Sequence, residues 1–262
     1  MLREWWKARK QARRERLLRE RAIPGELWRL TLARYPFLAS LDAQSADGLR
    51  DLATLFLADK EFYGANGLEV SDEMAVAIAA QACLPVLRLG LQWYAGFKGI
   101  VVHADAVRAR REVVDDIGVV HHYEEELSGE AMEGGPLMLS WRDVEDGAES
   151  GDWGYNVVIH EFAHVLDMRD GVADGVPLLP DRATRARWLD VMDAEYQAFC
   201  AAVDHAEETL LDPYGAESID EFFAVASEAF FTMPQDTKAE HPRLYALLAE
   251  FFGQDPARER AA

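Results

Sequence analysis

Two cysteines in 262 residues, Cys83 and Cys200, make no CxxC and sit in apolar, helical contexts. Neither a disulfide framework nor a thiolate-ligated zinc site can be built from them. No stretch approaches the ~18–20 uninterrupted apolar residues of a membrane span. The leading segment MLREWWKARKQARRERLLRE lacks an apolar h-region and a small-residue cleavage site, which argues against a secretory signal. Repeats and low-complexity tracts are absent as well, and a reducing cytoplasm is the expected setting. Positive charge is scarce outside one place. Residues 1–22 hold nine Lys/Arg against three acids, a surplus of +6, and the rest holds 18 against 44, or −26. A body so acidic repels phosphate backbones and argues against nucleic acid as a partner. The basic leader, residues 1–23, is expected to form a solvated helical extension packing on a domain of residues 24–262. Trp5, Trp6, Leu17 and Leu18 leave weak membrane or partner contact open.

What the chain does contain is material for a core: half its residues are hydrophobic and 28% are charged. Pro24 suits a helix start, and GELWRLTLARY reads as a helix ending before Pro36. Leu49, Leu52, Ala53, Leu55 and Phe56 give residues 45–60 a helical phase. Ser71 reads as an N-cap with Asp72 and Glu73 in the first turn, and Pro85 is expected to end or kink the apolar run that follows. The middle differs: residues 100–104, 117–123 and 136–141 are short apolar or β-branched runs, read as strands. Helical patterns return over 153–170, 183–203, 219–232 and 241–252. Helices, then a few strands, then helices predict a mostly helical α+β domain with a small mixed sheet.

Chemistry concentrates in YNVVIHEFAHVLD, residues 155–167. It contains HExxH on a helical segment. At 3.6 residues per turn, His160 and His164 project one turn apart from one face, within reach of a single ion. Zinc suits such a pair, since its catalytic sites combine three protein ligands with water. Glu161 lies beside that face, where its carboxylate can take a proton from activated water. HExxH alone arises by chance at about the few-per-cent level in a chain of this kind. Its surroundings sharpen the reading: Val157, Val158, Ile159, Phe162, Ala163, Val165 and Leu166 make the helix apolar everywhere else. A carboxylate buried there beside two imidazoles is costly without a compensating cation.

The third ligand has several candidates. Asp167 shares the helix face but is better placed to support a ligand than to be one. Asp170 occupies the position of the third ligand in HExxHxxGxxH, but that scheme turns the chain on a glycine where this one has Asp167. A later helix, SIDEFFAVASE (218–228), offers Glu221 and Glu228 on one face at i, i+7, among phenylalanines. Ser218-x-x-Glu221 also reads as a capping box. The residues alone leave Glu221 and Glu228 both open.

HEFAHVLDMRDG, ADGVP (173–177), GGPLMLSW before them and DPYGAESIDEFFAVASEAFF after them resemble the Mlc titration factor A (MtfA) family of zinc peptidases. That family is similar in its metal site to the catalytic domain of anthrax lethal factor. The resemblance runs from about residue 60 to 250. It implies a zincin-like fold of the gluzincin type, His160, His164 and Glu221 as zinc ligands, and Glu161 as general base. It further implies Tyr214 as a phenol facing the site, with Glu228 in a supporting position. On this view Tyr214 donates to the developing oxyanion. Pro136–Ser140 is expected to be an edge strand able to hold an extended peptide by its backbone.

Other residues carry ordinary expectations. His121 and His122 are strand neighbours that point to opposite faces and cannot chelate together. His103, His205 and His241 are isolated, Glu124–Glu126 reads as a solvated acidic loop, and Trp141 with Arg142 reads as a packing corner. Two functions follow. One is a zinc metallopeptidase acting on a peptide or protein, as aminopeptidase or endopeptidase. The other, implied by the family name, is a regulator that binds and titrates a repressor of the Mlc type.

Overall fold

The computed structural model describes residues 2–114, 120–127, 129–131, 135–149 and 154–259. Its helices are α1 (Leu2–Glu20), α2 (Gly25–Arg34), α3 (Pro36–Ala39), α4 (Ala43–Asp59), α5 (Asp72–Cys83), α6 (Trp141–Glu149), α7 (Val157–Asp167), α8 (Arg182–Asp204), α9 (Ile219–Thr232), α10 (Pro234–Glu240), α11 (Pro242–Phe252) and α12 (Pro256–Glu259). The strands are β1 (Glu61–Gly64), β2 (Gly99–His103), β3 (Val107–Val114), β4 (Val120–Leu127), β5 (Gly129–Ala131) and β6 (Leu137–Ser140).

Local chemistry sets the helix starts. Asp42 caps α4 by accepting from Ser45 N–H at 2.9 Å, and Ser71 caps α5 by accepting from Met74 N–H at 3.2 Å. α5 ends at Cys83, two residues before Pro85: Leu84 keeps helical dihedrals and donates to the Gln81 carbonyl at 3.2 Å, but Pro85 has no N–H with which to continue the ladder. Asn156 caps α7, its side-chain oxygen accepting from Ile159 N–H at 2.9 Å. After α7 a 3-10 turn, Met168–Asp170, ends on Gly171 in the left-handed conformation.

The larger sheet has four short strands. Its order is β1-β2-β6-β5, with β1, β2 and β6 parallel and β5 antiparallel to β6. Ile100, Val102, Leu137 and Leu139 are buried at alternate positions, as the pleat requires. The expected edge strand at Pro136–Ser140 is therefore an interior strand. Ile100–His103 pair with Leu137–Ser140 on one side, and β5 covers the other. Three-residue β5 is too short to stand out in a sequence pattern, and it takes the edge.

Glu124–Glu126 also depart from expectation. They lie in β4, antiparallel to β3, with Arg110 opposite Glu124 and Arg108 opposite Glu126. In the sequence the run of acids hides any apolar alternation of that strand. Residues 117–119 of the expected strand lie outside the described residues.

Buried apolar side chains form one cluster running from Ile23 to Ala257. Phe162 of α7 is its pivot, with ring centroids 4.8 Å from Tyr94, 5.7 Å from Phe56 and 5.9 Å from Phe97. Among the described side chains of α1 none joins this cluster: Trp5 and Trp6 are 54% and 60% exposed, and Leu17 and Leu18 are half-buried. No described helix is long and apolar enough to cross a membrane.

Candidate metal centre

Two helices build the centre. α7 is apolar around most of its circumference and is buried from Val157 to Ala163, so its ionisable stripe is buried with it. α9 is buried from Phe222 to Thr232 and lies against α7. Ser218 caps α9 by accepting from Glu221 N–H at 3.4 Å, so the cap expected from sequence forms in one direction. The Glu221 carboxylate turns instead to the histidines of α7.

Oε2 of Glu221 lies 3.0 Å from Nε2 of His160 and 3.4 Å from Nε2 of His164, and the two Nε2 atoms are 3.2 Å apart. Yet this buried oxygen accepts no properly directed hydrogen bond. Three donor atoms thus face a common point rather than one another. Among the described residues, His160, His164 and Glu221 form the group of side chains able to hold a metal ion.

The other nitrogen of His160 has a different partner. Its Nδ1 is 2.7 Å from Oε1 of Glu228, and Oε2 of Glu228 accepts the Asn156 N–H. With Nδ1–H donating to a carboxylate, the Nε2 lone pair is left to point at the common site. Asn156 Nδ2 donates in turn to Oε1 of Gln81 at 2.7 Å, which ties α7 to α5. Sequence reasoning missed this buried amide pair. An Asn immediately before the apolar run and a lone Gln inside a buried helix are the signals that mark it.

Electrostatics follow the same arrangement. Burial alone raises Glu221, but the adjacent imidazoles of His160 and His164 overcome it and hold the carboxyl far below its usual range. Burial pushes Glu161 and Glu228 up, more than the neighbouring histidines pull them down. Burial lowers His160, and the carboxylates Glu221, Glu228 and Glu161 outweigh that and raise it well above the ordinary imidazole range. Three carboxylates around two imidazoles call for positive charge at this point, which a proton or a cation supplies.

The remaining candidates sort by position. Glu161 is buried on α7, and its carboxylate touches the backbone of β5: a Cβ on Gly129 would stand 2.5 Å from it. Tyr214 sits in the 3-10 turn Pro213–Ala216, initiated by Asp212 accepting from Tyr214 N–H at 2.9 Å. Its ring is 41% exposed, with its centroid 6.0 Å from that of His160. Asp167 does not reach a histidine. It accepts from Gly175 N–H at 2.8 Å, burial raises its carboxyl to about 6, and Oδ1 has no partner. Gly175 has φ +70°, and a Cβ there would lie 2.7 Å from the carbonyl oxygen of Ile219, so only glycine brings this loop against the start of α9. Asp170 is exposed, outside the group. His241 pairs with Glu195 at 3.3 Å, and His205 lies against the Ala201 carbonyl. Trp141 is half-buried with the Arg34 guanidinium 5.7 Å from its ring centroid, whereas Arg142, expected to pack with it, is exposed beside Asp105 and Asp146.

A helix-rich α+β protein with a buried His-His-Glu group between two core helices is thus defined. Residues 8–253 match the family described as glucose-regulated metallo-peptidase M90, and the chain belongs to that family, which includes Mlc titration factor A. It is 36% identical to the Mlc titration factor A of Cronobacter sakazakii over 87% of this chain and 86% of that one. Against the Salmonella arizonae protein of the same name the identity is 36%, covering 88% and 92%. An uncharacterized protein of Synechocystis sp. is 37% identical, covering 93% and 89%. The family match starts at residue 8, so the likeness reaches into α1, well before the residue-60 limit read from motifs.

Proposed function

We propose that this protein is a zinc-dependent metallopeptidase of zincin-like, gluzincin-type architecture. Its domain spans residues 24–262, with 1–23 as a helical extension. The observation that carries the reading is the convergence of Nε2 of His160, Nε2 of His164 and Oε2 of Glu221. Tetrahedral zinc with bonds of ~2.0–2.1 Å sets its ligands ~3.3–3.4 Å apart. The separations here are 3.0, 3.2 and 3.4 Å. The residues fit the ion, and the unbonded Glu221 oxygen supports the assignment. A zinc ion held there supplies Lewis acidity, which makes water nucleophilic near neutral pH and polarises a carbonyl.

The chain's own groups do the rest. Glu161, raised by burial, takes the proton from the attacking water and returns it to the leaving amine. Glu228 keeps His160 in the Nε2-ligating orientation. Tyr214 donates a hydrogen bond from its phenol to the oxyanion that develops on the scissile carbonyl. β5, the terminal strand of the described sheet beside Glu161, takes the place of Pro136–Ser140 as the strand along which an extended substrate lies. Two free cysteines suit a reducing, cytoplasmic compartment.

The test is hydrolysis of fluorogenic peptides by zinc-loaded protein. Glu161→Gln is expected to retain metal and fold while losing ~10²–10⁴-fold in kcat, and His160→Ala to lose stoichiometric zinc. Unchanged turnover in Glu161→Gln overturns the mechanism. The relatives' name supports a second activity, titration of an Mlc-type repressor. Repressor binding that survives Glu161→Gln makes the two activities separable.

A further inference from the structure

Beside the centre lies a cleft of about 500 Å³, within the size range of sites that enclose a small organic group. Trp93, Gly96 and Phe97 form one wall, Leu137 of the sheet another, and Val165 and Met168 the floor. Among the described lining residues, charge comes from Arg169 and Asp170 alone, both exposed. The Arg169 guanidinium lies 5.9 Å from the Trp93 ring centroid, so its stem and the indole extend the apolar wall.

The cleft is in step with the proposed chemistry. Glu161, Val165 and Met168 lie at i, i+4 and i+7 of one helical stripe, so the floor begins ~6 Å along the axis from Glu161. On β5, Gly129 meets Glu161 and Ala131 lines the cleft, two strand residues or ~6.6–6.8 Å apart. The two spacings agree. An extended chain laid along β5 with its reacting carbonyl at Glu161 therefore delivers a nearby side chain to the cleft. The Gly96 wall is rigid. The buried Lys60 ammonium donates to the carbonyls of Tyr94 at 2.5 Å and Phe97 at 2.7 Å, pinning the turn between them. The Phe97 ring is in turn packed on Phe162 of α7. The described charges of the cleft, Arg169 and Asp170, stand in solvent, whereas Met168 and two aromatic rings adapt to bulky apolar groups.

We propose that this cleft is a specificity subsite selecting a large uncharged side chain, aromatic or Leu/Met, close to the hydrolysed bond. The proposal rests on the peptidase reading above, and two readouts keep them apart. In the first, zinc-loaded full-length protein is assayed on peptides varied one position at a time. One position should prefer Phe over Gly by at least ~10-fold in kcat/KM. Gly96→Leu adds a side chain at the cleft wall, at a position with no atom within 4 Å of the new Cβ and no positive φ. It should flatten that preference and leave cleavage of the Gly peptide unchanged. Equal rates for Phe and Gly, or a preference untouched by Gly96→Leu, overturn the subsite. Cleavage of no peptide at all defeats the peptidase reading, and ligand-observed NMR then judges the cleft alone. N-acetyl-phenylalanine amide should bind wild type more tightly than N-acetyl-glycine amide and lose that advantage in Gly96→Leu; no difference in wild type overturns the proposal.

Discussion

α1 and α7 are both rich in ionisable residues, and they treat them in opposite ways. α1 carries an arginine-rich surface and two exposed tryptophans, and none of its described side chains joins the core. α7 carries His160, Glu161, His164 and Asp167 within eight residues and sits in the middle of the core. In water the charges of α1 are screened and cost little. Those of α7 have lost their hydration and depend on each other, on Glu221 and Glu228, and on whatever cation they hold. The contrast teaches that desolvation, not the count of charges, marks the chemistry of this chain.

The contrast can be broken or sharpened by substitution. Phe162→Ala should have the largest effect, because it removes the ring on which Tyr94, Phe56 and Phe97 pack behind the metal helix. A loss of about 3–5 kcal/mol in urea unfolding is expected. Glu228→Gln keeps shape but removes the charge on His160 Nδ1, and zinc affinity measured by chelator competition should fall ~10–100-fold.

Asp167→Asn tests the same principle through pH. The folded carboxyl titrates near 6, above its unfolded value, so the native state holds the extra proton between about pH 4 and 6. Stability from this group is present at low pH and is lost as pH rises through that window. The asparagine variant should therefore gain on wild type in unfolding free energy from pH 4 to pH 7; a difference that stays flat removes the assigned burial cost. The smallest effect belongs to α1: Trp6→Ala should shift stability by no more than ~0.5 kcal/mol, since the ring is exposed.

Much of this arrangement is legible before any coordinates. Ser71 and Ser218 lie at helix starts, and helix 219–232 emerges from its period with its observed bounds, whereas the helix read over 153–170 begins only at Val157, after the Asn156 cap. The sheet was harder. β3, VRARREVV, has too many arginines for an apolar alternation, and of its partner β4 the sequence shows only residues 120–123, Glu124–Glu126 hiding the rest. β5 has three residues and no pattern, so the edge was assigned to Pro136–Ser140, one strand too far inward.

Sequence by itself determined that two imidazoles share a helix face with an acid beside them, because helical periodicity is a local property of the backbone. It also set the apolar surroundings that bury them. Which carboxylate meets which ring nitrogen was decided only in three dimensions. Glu221 and Glu228 are two turns apart on one face of α9, and the way α9 lies against α7 brings the first to Nε2 and the second to Nδ1 of His160. Non-local packing of that kind leaves no period in the chain, so the edge at β5 and the roles of the two glutamates belong to the tertiary structure.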